Sequence, residues 1–167
     1  IEAAQRLERG GATCVVICTN TMHKMADAVQ NAISLPLIHI ADPTAEAIKA
    51  EGITTIGLLG TKFTMQEDFY KGRLIDTHGL TVLIPDADDV QVVNRIIYEE
   101  LVLGEIKNDS RADYVRIIGD LQARGAEGVI LGCTEIGLLV RPEDVSVPLF
   151  DTAAIHARAL ANAALAS

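Results

Sequence analysis

A cysteine and a threonine in two matching motifs are the residues of this chain best suited to proton-transfer chemistry. Cys133 lies in segment 132–135, directly after an apolar run, and Thr19 follows the apolar run that ends at Cys18. A thiol placed where a strand ends and a helix begins is expected to have a lowered pKa, because free N–H groups and the helix dipole stabilise the thiolate. The sequence therefore predicts a base at Cys133, with an inert, packed cysteine as the alternative.

The two motifs belong to an internal repeat. Segment 7–22 aligns without gaps on segment 121–136, so that Thr19 matches Cys133. Side chains alternate in direction along a regular strand, and Cys18 and Thr19 are therefore not expected to point into one cleft together. The alignment favours Thr19 as the cleft residue, and Cys18 is the alternative if the strand bulges.

Hydroxyl and amide groups beside these motifs are candidates for binding a carboxylate. Asn20 and Thr21 suit either a substrate carboxylate or the cap of the following helix. Thr61 and Thr64 follow a glycine turn between a strand and a helix, which suits anion binding, while a simple turn and cap is the alternative. Glu135 suits either a substrate ammonium or the next helix start. The predicted substrate-binding residues are Asn20, Thr21, Thr61, Thr64, Thr134 and Glu135.

Helices and short apolar strands alternate along the chain, which predicts an α/β fold with a parallel sheet. A second repeat, 35–38 with 147–150, favours two pseudo-symmetric parallel-sheet lobes with the active site in the cleft between them. Residues 1–44 with 146–167 are predicted to form the first lobe, and residues 45–145 the second. About 60 residues that precede the motif in the second half have no counterpart in the first, so the first lobe is expected to be incomplete at its N-terminus. The predicted strands are 14–18, 37–39, 55–59, 81–84, 129–131 and 149–150.

Composition and charge argue against several classes of protein. The formal net charge of −9 disfavours broad binding to nucleic acid or to anionic membranes. No apolar run approaches the ~20 residues that a membrane-spanning helix needs. Three cysteines, an odd number, indicate free thiols in a reducing cytoplasm, and neither they nor the four histidines have the spacing of a zinc site. His23 is predicted to make a structural hydrogen bond rather than to act as an acid or a base.

Three motifs taken in order, at 19–23, 60–64 and 132–135, resemble the aspartate/glutamate racemase superfamily. The amino-acid sequences of segments 69–73 and 131–137 are similar to those of the broad-range or aspartate/glutamate-specific branch of this superfamily. The resemblance implies a cofactor-independent racemase that acts on a small-molecule amino acid. It also implies two pseudo-symmetric α/β lobes and, as is usual in the family, a homodimer.

In that superfamily two cysteines lie on opposite sides of the substrate Cα, and one removes a proton as a thiolate while the other returns one. The resemblance places the second cysteine at Cys133 and the first at Thr19. A threonine hydroxyl is far too weakly acidic to supply an anionic base near neutral pH, although it can donate or relay a proton. The resemblance therefore implies an uneven enzyme with Cys133 as its one strong base.

Two other functions stay open at the level of the sequence. A single reactive cysteine is also compatible with a decarboxylase or hydrolase relative. An incomplete first lobe would leave a sheet edge and an apolar face exposed, which is compatible with a non-catalytic binding or assembly fragment.

Overall fold

Four parallel strands form one sheet in the computed structural model, which describes residues 1–165. The strands are β1 (Thr55–Gly60), β2 (Thr81–Leu83), β3 (Gly128–Gly132) and β4 (Leu149–Asp151), and their spatial order is β2–β1–β3–β4. The α-helices are α1 (Glu2–Arg9), α2 (Ala26–Gln30), α3 (Ala41–Ala50), α4 (Lys62–Gln66), α5 (Asp68–Asp76), α6 (Ala87–Glu99), α7 (Asn108–Ala123), α8 (Ile136–Leu139) and α9 (Thr152–Leu165). Short 3-10 helices are formed by Thr21–Met25, Leu101–Leu103 and Pro142–Asp144.

The sheet forms the centre of the hydrophobic core. β3 is buried along its whole length, and β1 is buried from Ile56 onward. Helices α4, α6 and α7 contact β1, while α9 contacts β3 and β4. Continuous runs of Val, Ile and Leu are typical of parallel strands that helices cover, which explains why these segments form the interior. The predicted α/β fold with a parallel sheet is confirmed. In the described part of the chain, no helix is long and apolar enough to cross a membrane.

The internal repeat is visible in the backbone hydrogen bonds. In the first copy, the amide of Val15 donates to the carbonyl oxygen of Pro36 at 3.0 Å. In the second copy, the amide of Val129 donates to the carbonyl oxygen of Pro148 at 2.9 Å. Each apolar segment therefore pairs in the same register with the Pro-Leu segment that follows it in its own half.

The first copy forms less strand than the sequence predicts. Segment 14–18 makes one isolated parallel bridge, between Val15 and Leu37, instead of a ladder. β3 pairs with β1 on one side and with β4 on the other. Among residues 1–165, segment 14–18 pairs only with the stretch around Leu37, and an isolated pair of short segments outside the main sheet does not form a stable ladder.

β4 joins the same sheet as β1, β2 and β3. Leu149, Phe150 and Asp151 pair with β3, because each Pro-Leu segment pairs with the motif of its own half. The division of the chain into lobes at residues 44 and 146 stays a prediction.

Candidate active site

Two glycines allow the ends of β1 and β3 to lie side by side. Gly60 and Gly132 are partners in the parallel register. A Cβ atom on Gly132 would lie 2.7 Å from the carbonyl oxygen of Leu59, and one on Gly60 would lie 2.9 Å from the carbonyl oxygen of Gly132. Both distances are closer than a side chain tolerates, so the two turns that follow need glycine here. Thr61 and Cys133, the next residues, therefore emerge together at the carboxyl edge of the sheet.

A buried histidine holds the first motif in place. His23 is 2% exposed, and its Nδ1 donates to the carbonyl oxygen of Thr19 at 2.8 Å. Its Nε2 accepts a hydrogen bond from the amide of Ile40 at 3.1 Å. Burial lowers the pKa of His23 to about 4, so the ring is neutral near pH 7. The predicted structural hydrogen bond of His23 is confirmed.

One cavity of about 430 Å³ brings the two motifs together. It is lined by both Cys18 and Thr19, because segment 18–20 is irregular and strand alternation does not apply to it. The two alternatives left open by the sequence are thus both at the cavity. The predicted residues that line it are Thr19, Asn20, Thr21, Thr61, Cys133, Thr134 and Glu135.

Three threonine hydroxyls form a ring beneath the cavity. The Oγ1 atom of Thr21 lies 3.0 Å from that of Thr61 and 3.3 Å from that of Thr64, and the latter two are 3.2 Å apart. Thr61 also caps α4 by accepting from the amide of Thr64. Thr21 and Thr61 reach the cavity, whereas Thr64 is fully buried behind them. Thr64, which the sequence predicted to bind substrate, therefore supports the two threonines that can.

The thiol of Cys133 donates to a carboxylate oxygen of Glu135 at 3.0 Å. Burial, followed by the hydrogen bond to and the charge of Glu135, raises the pKa of the thiol to about 12. The predicted lowering of this pKa is wrong. The helix that follows, α8, has a single turn, so its dipole is too small to offset burial beside a carboxylate.

Comparison with known proteins places this chain in a family. The model of the Asp/Glu/hydantoin racemases matches residues 1–160. The chain belongs to this family. The resemblance seen in the motifs is thereby confirmed, and the expected incompleteness of the N-terminus stays a prediction.

Solved structures and a named relative support the family assignment. A candidate Asp/Glu racemase from Yersinia pestis has a TM-score of 0.94 and 57% sequence identity, over 98% of this chain and 71% of that chain. An aspartate racemase homologue from Pyrococcus horikoshii has a TM-score of 0.87 and 43% identity, with the same coverage of both chains. A broad specificity amino-acid racemase of Bacillus subtilis is 24% identical over 99% of this chain and 71% of its own length. The prediction of an amino-acid racemase is confirmed at the level of the family.

Apolar side chains of this family member line the rest of the cavity, and the sequence analysis missed them. They come from the end of α6, from the following 3-10 helix and from the first motif. Tyr98 and Val102 are each about half exposed, as is Met22. Met22 lies within the first motif but was assigned no role there, and no motif marks Ile97, Tyr98 or Val102. The available signal was Tyr98, an aromatic residue on the polar face of α6. The missed residues are Met22, Ile97, Tyr98 and Val102.

The cavity of this family member contains one charged side chain among the described residues, that of Glu135. The lining includes no lysine or arginine, so within residues 1–165 a substrate carboxylate would have to be held by hydroxyl and N–H groups. No group of three or more His, Cys, Asp or Glu side chains in the described part of the chain is arranged to hold a metal ion.

Proposed function

We propose that the chain racemises a free amino acid of the aspartate/glutamate class, without a cofactor, by transferring protons at Cα. One observation carries the proposal: Cys133 and Thr19, from the two halves of the repeat, line the same cavity. A substrate Cα held between them would face a sulfur on one side and a hydroxyl on the other. Family membership supports the same reaction class.

The lining supplies groups suited to both charged ends of an amino acid. Thr21 and Thr61 offer hydroxyls to the α-carboxylate. Glu135 offers an acceptor to the α-ammonium. Asn20 also lines the cavity, and its buried side-chain oxygen, which has no hydrogen-bond partner among residues 1–165, is a second acceptor for the ammonium. Hydrogen bonds to the carboxylate also stabilise the negative charge that develops there when Cα loses its proton, which is the main barrier in this reaction.

Proton transfer starts from a protonated thiol. The thiol of Cys133 first loses its proton to solvent, and a substrate ammonium beside Glu135 makes this step less costly because it offsets the charge of the carboxylate that contacts the sulfur. The thiolate then removes the Cα proton, and the hydroxyl of Thr19 delivers a proton to the opposite face. Water reprotonates Thr19, which is exposed. In the reverse direction Thr19 is a poor base, so the rates from the two enantiomers differ while the overall equilibrium stays near one.

The test is exchange of the Cα proton in D₂O, followed by NMR and mass spectrometry for L- and D-aspartate and glutamate. We expect deuterium to enter Cα, and Cys133→Ala to lower the exchange rate by at least about a thousandfold. Cys14→Ala is the matched control, because Cys14 is a second half-buried cysteine that does not line the cavity. Release of carbon dioxide instead of exchange would favour the decarboxylase alternative, and binding without exchange would favour a binding module.

We also propose a homodimer in the cytoplasm. Exposed Leu103 and Leu138 offer apolar surface for a second copy, and the three cysteines are unpaired, as expected in a reducing compartment. Light scattering should give twice 17.9 kDa, and cell fractionation should recover the protein with cytoplasmic markers. A monomeric mass, or recovery with secreted proteins, would contradict the respective statement.

A further inference from the structure

We propose that Thr152 is a positioning residue that fixes the side-chain amide of Asn20, so that the cavity presents an acceptor to the α-ammonium of the substrate. The inference rests on the proposed function and adds a residue that does not line the cavity. Thr152 is the first residue of α9 and is fully buried. It lies 132 residues from Asn20 in the sequence.

Two hydrogen bonds connect Thr152 to both halves of the site. Its hydroxyl donates to the carbonyl oxygen of Leu131 in β3 at 2.9 Å. The Nδ2 atom of Asn20 donates to the same hydroxyl at 2.9 Å. Leu131 precedes Cys133 by two residues, so Thr152 joins the strand that carries the cysteine to the asparagine of the first motif.

The direction of these bonds is fixed by the chemistry of the groups. A carbonyl oxygen only accepts, so the single proton of the Thr152 hydroxyl points at Leu131. The hydroxyl then has only lone pairs for Asn20, which must turn its NH₂ group toward Thr152. The Oδ1 atom of Asn20 is thereby directed away from Thr152.

Asn20 Oδ1 is suited to a ligand donor. Asn20 is 2% exposed, and its Oδ1 atom is buried with no hydrogen-bond partner among residues 1–165. An unpaired buried acceptor is destabilising because it has lost its hydrogen bonds to water, and a donor from a ligand removes that cost. Asn20 lines the cavity, where an α-ammonium supplies such a donor and a carboxylate does not.

The experiment compares Thr152→Val with Thr152→Ser. Valine keeps the shape of threonine but removes the hydroxyl, whereas serine keeps the hydroxyl. Thr44→Val is the matched control, because Thr44 is also fully buried, and its hydroxyl donates to the carbonyl oxygen of Ile40 at 2.9 Å, away from Asn20. Thermal unfolding of all three variants separates loss of stability from loss of function.

Two readouts test the proposal. NMR of the ¹⁵N-labelled Asn20 side chain should show an ordered amide next to residue 152 in the unmutated chain and in Thr152→Ser, and a reoriented or averaged amide in Thr152→Val. Calorimetry should show that preference for aspartate over succinate, which has no amino group to donate, falls about tenfold in Thr152→Val only. KM should rise with little change in kcat, because the ammonium contact is present in both ground and transition states.

The outcomes separate this inference from the proposed function. An unchanged Asn20 amide in Thr152→Val, or an unchanged preference for aspartate, would overturn the role of Thr152. An equal loss of preference in Thr44→Val would do the same, since it would indicate a general effect of losing a buried hydroxyl. Absence of Cα exchange in the unmutated chain, with the amide ordered by Thr152 and aspartate still preferred, would overturn racemisation and leave the positioning role supported.

Discussion

At the scale of single residues, the contact between Cys133 and Glu135 determines the resting protonation of the cavity. With a pKa of about 12, the thiol keeps its proton near pH 7. Burial raises the pKa of Glu135, but its hydrogen bonds with Cys133 and Thr134 lower this pKa by more. The net pKa is below the ordinary value, so the carboxylate stays charged. A bound ammonium beside this carboxylate would offset its charge and make the thiolate less costly. Substrate binding and activation of the base are therefore coupled.

Replacing Glu135 by glutamine should make Cys133 more reactive. The neutral amide removes the negative charge that raises the pKa of the thiol, while the contribution of burial remains. We expect alkylation of Cys133 by iodoacetamide near pH 8 to be faster by about tenfold or more, since one pKa unit changes the thiolate fraction tenfold. Peptide mapping by mass spectrometry at timed intervals measures this rate.

Cys18 provides the internal control for this measurement. It is exposed and lines the same cavity, so its alkylation rate reports reagent access in both proteins. An equal rate at Cys133 with and without the carboxylate would contradict the contribution of Glu135 to the raised pKa of the thiol.

The sequence motifs predicted which residues line one cavity, but not the pKa of the Cys133 thiol. Residue types and the repeat were enough to bring Thr19 and Cys133 to one cavity. The prediction of a thiolate failed because the sequence does not show that Glu135 turns back onto the sulfur two residues before it. The burial of Thr64, which the sequence predicted to bind substrate, also depends on the packing around it. A helix-capping pattern does not encode that packing.

At the scale of elements, the paired glycines at the ends of β1 and β3 set the width of the site. We expect Gly132→Ala to lower the free energy of unfolding by about 1–3 kcal/mol, because its Cβ would overlap the backbone of Leu59. Denaturant unfolding measures the change. Moving β3 would also shift Cys133, so Cα exchange should fall in the same variant.

Gly119→Ala is the control for this substitution. Gly119 lies within α7, and a Cβ there meets nothing within 4 Å. Alanine is expected to stabilise this helix by about 0.5–1 kcal/mol, through its better helix propensity. Destabilisation at Gly119 as large as at Gly132 would show that steric overlap is not the cause.

The four strands of the main sheet were predicted well, and the strand of the first copy was not. The predicted strand 129–131 lies within β3, and 55–59 lies within β1. Segment 14–18 has the same apolar pattern, but makes one bridge. An apolar pattern indicates that a segment is buried. A β-ladder also needs a neighbouring strand, and the local sequence does not identify that strand.

At the scale of the whole molecule, buried histidines connect the first motif to the packing of the helices. The rings of His23 and His39 lie 4.4 Å apart between centroids, and His156 lies 6.1 Å from His23. His156 Nε2 donates to the carbonyl oxygen of Ile38 at 2.9 Å, which ties α9 to the segment before α3. Burial, and then the neighbouring His23, lowers the pKa of His39 to about 3.

These histidines should make the fold acid-sensitive before its carboxylates titrate. Both His23 and His39 have folded pKa values below the unfolded value of 6.5, so the unfolded chain binds more protons as the pH falls below 6.5. We expect the free energy of unfolding to be constant above that value as far as these residues are concerned. Below pH 6.5, the free energy of unfolding should fall by up to about 1.4 kcal/mol per pH unit for each of the two histidines.

Denaturant unfolding between pH 6.5 and about pH 5 isolates this effect, because ordinary carboxylates titrate lower. His39→Gln should reduce the slope by one histidine's share, since glutamine can still accept from the amide of Ala41 but does not ionise. A flat profile in the unmutated protein would contradict the lowered pKa values.

The global architecture followed from the sequence more readily than the cavity wall. Alternating helices and apolar strands, with two copies of one motif, were enough to predict a parallel α/β fold. The contribution of Tyr98 and Val102 depends on where α6 ends relative to β3, a distance between elements that no local pattern records.

The link between Asn20 and Thr152 also has a consequence for the order of synthesis. A ribosome adds Cys18, Thr61 and Cys133 before it adds α9, yet the hydroxyl that orients Asn20 arrives with the first residue of that helix. Closing so long a stretch of chain is a late event in folding. A nascent chain therefore carries the lining residues of the cavity before its ammonium acceptor is ordered, and we expect tight binding of the amino acid only after α9 has been added.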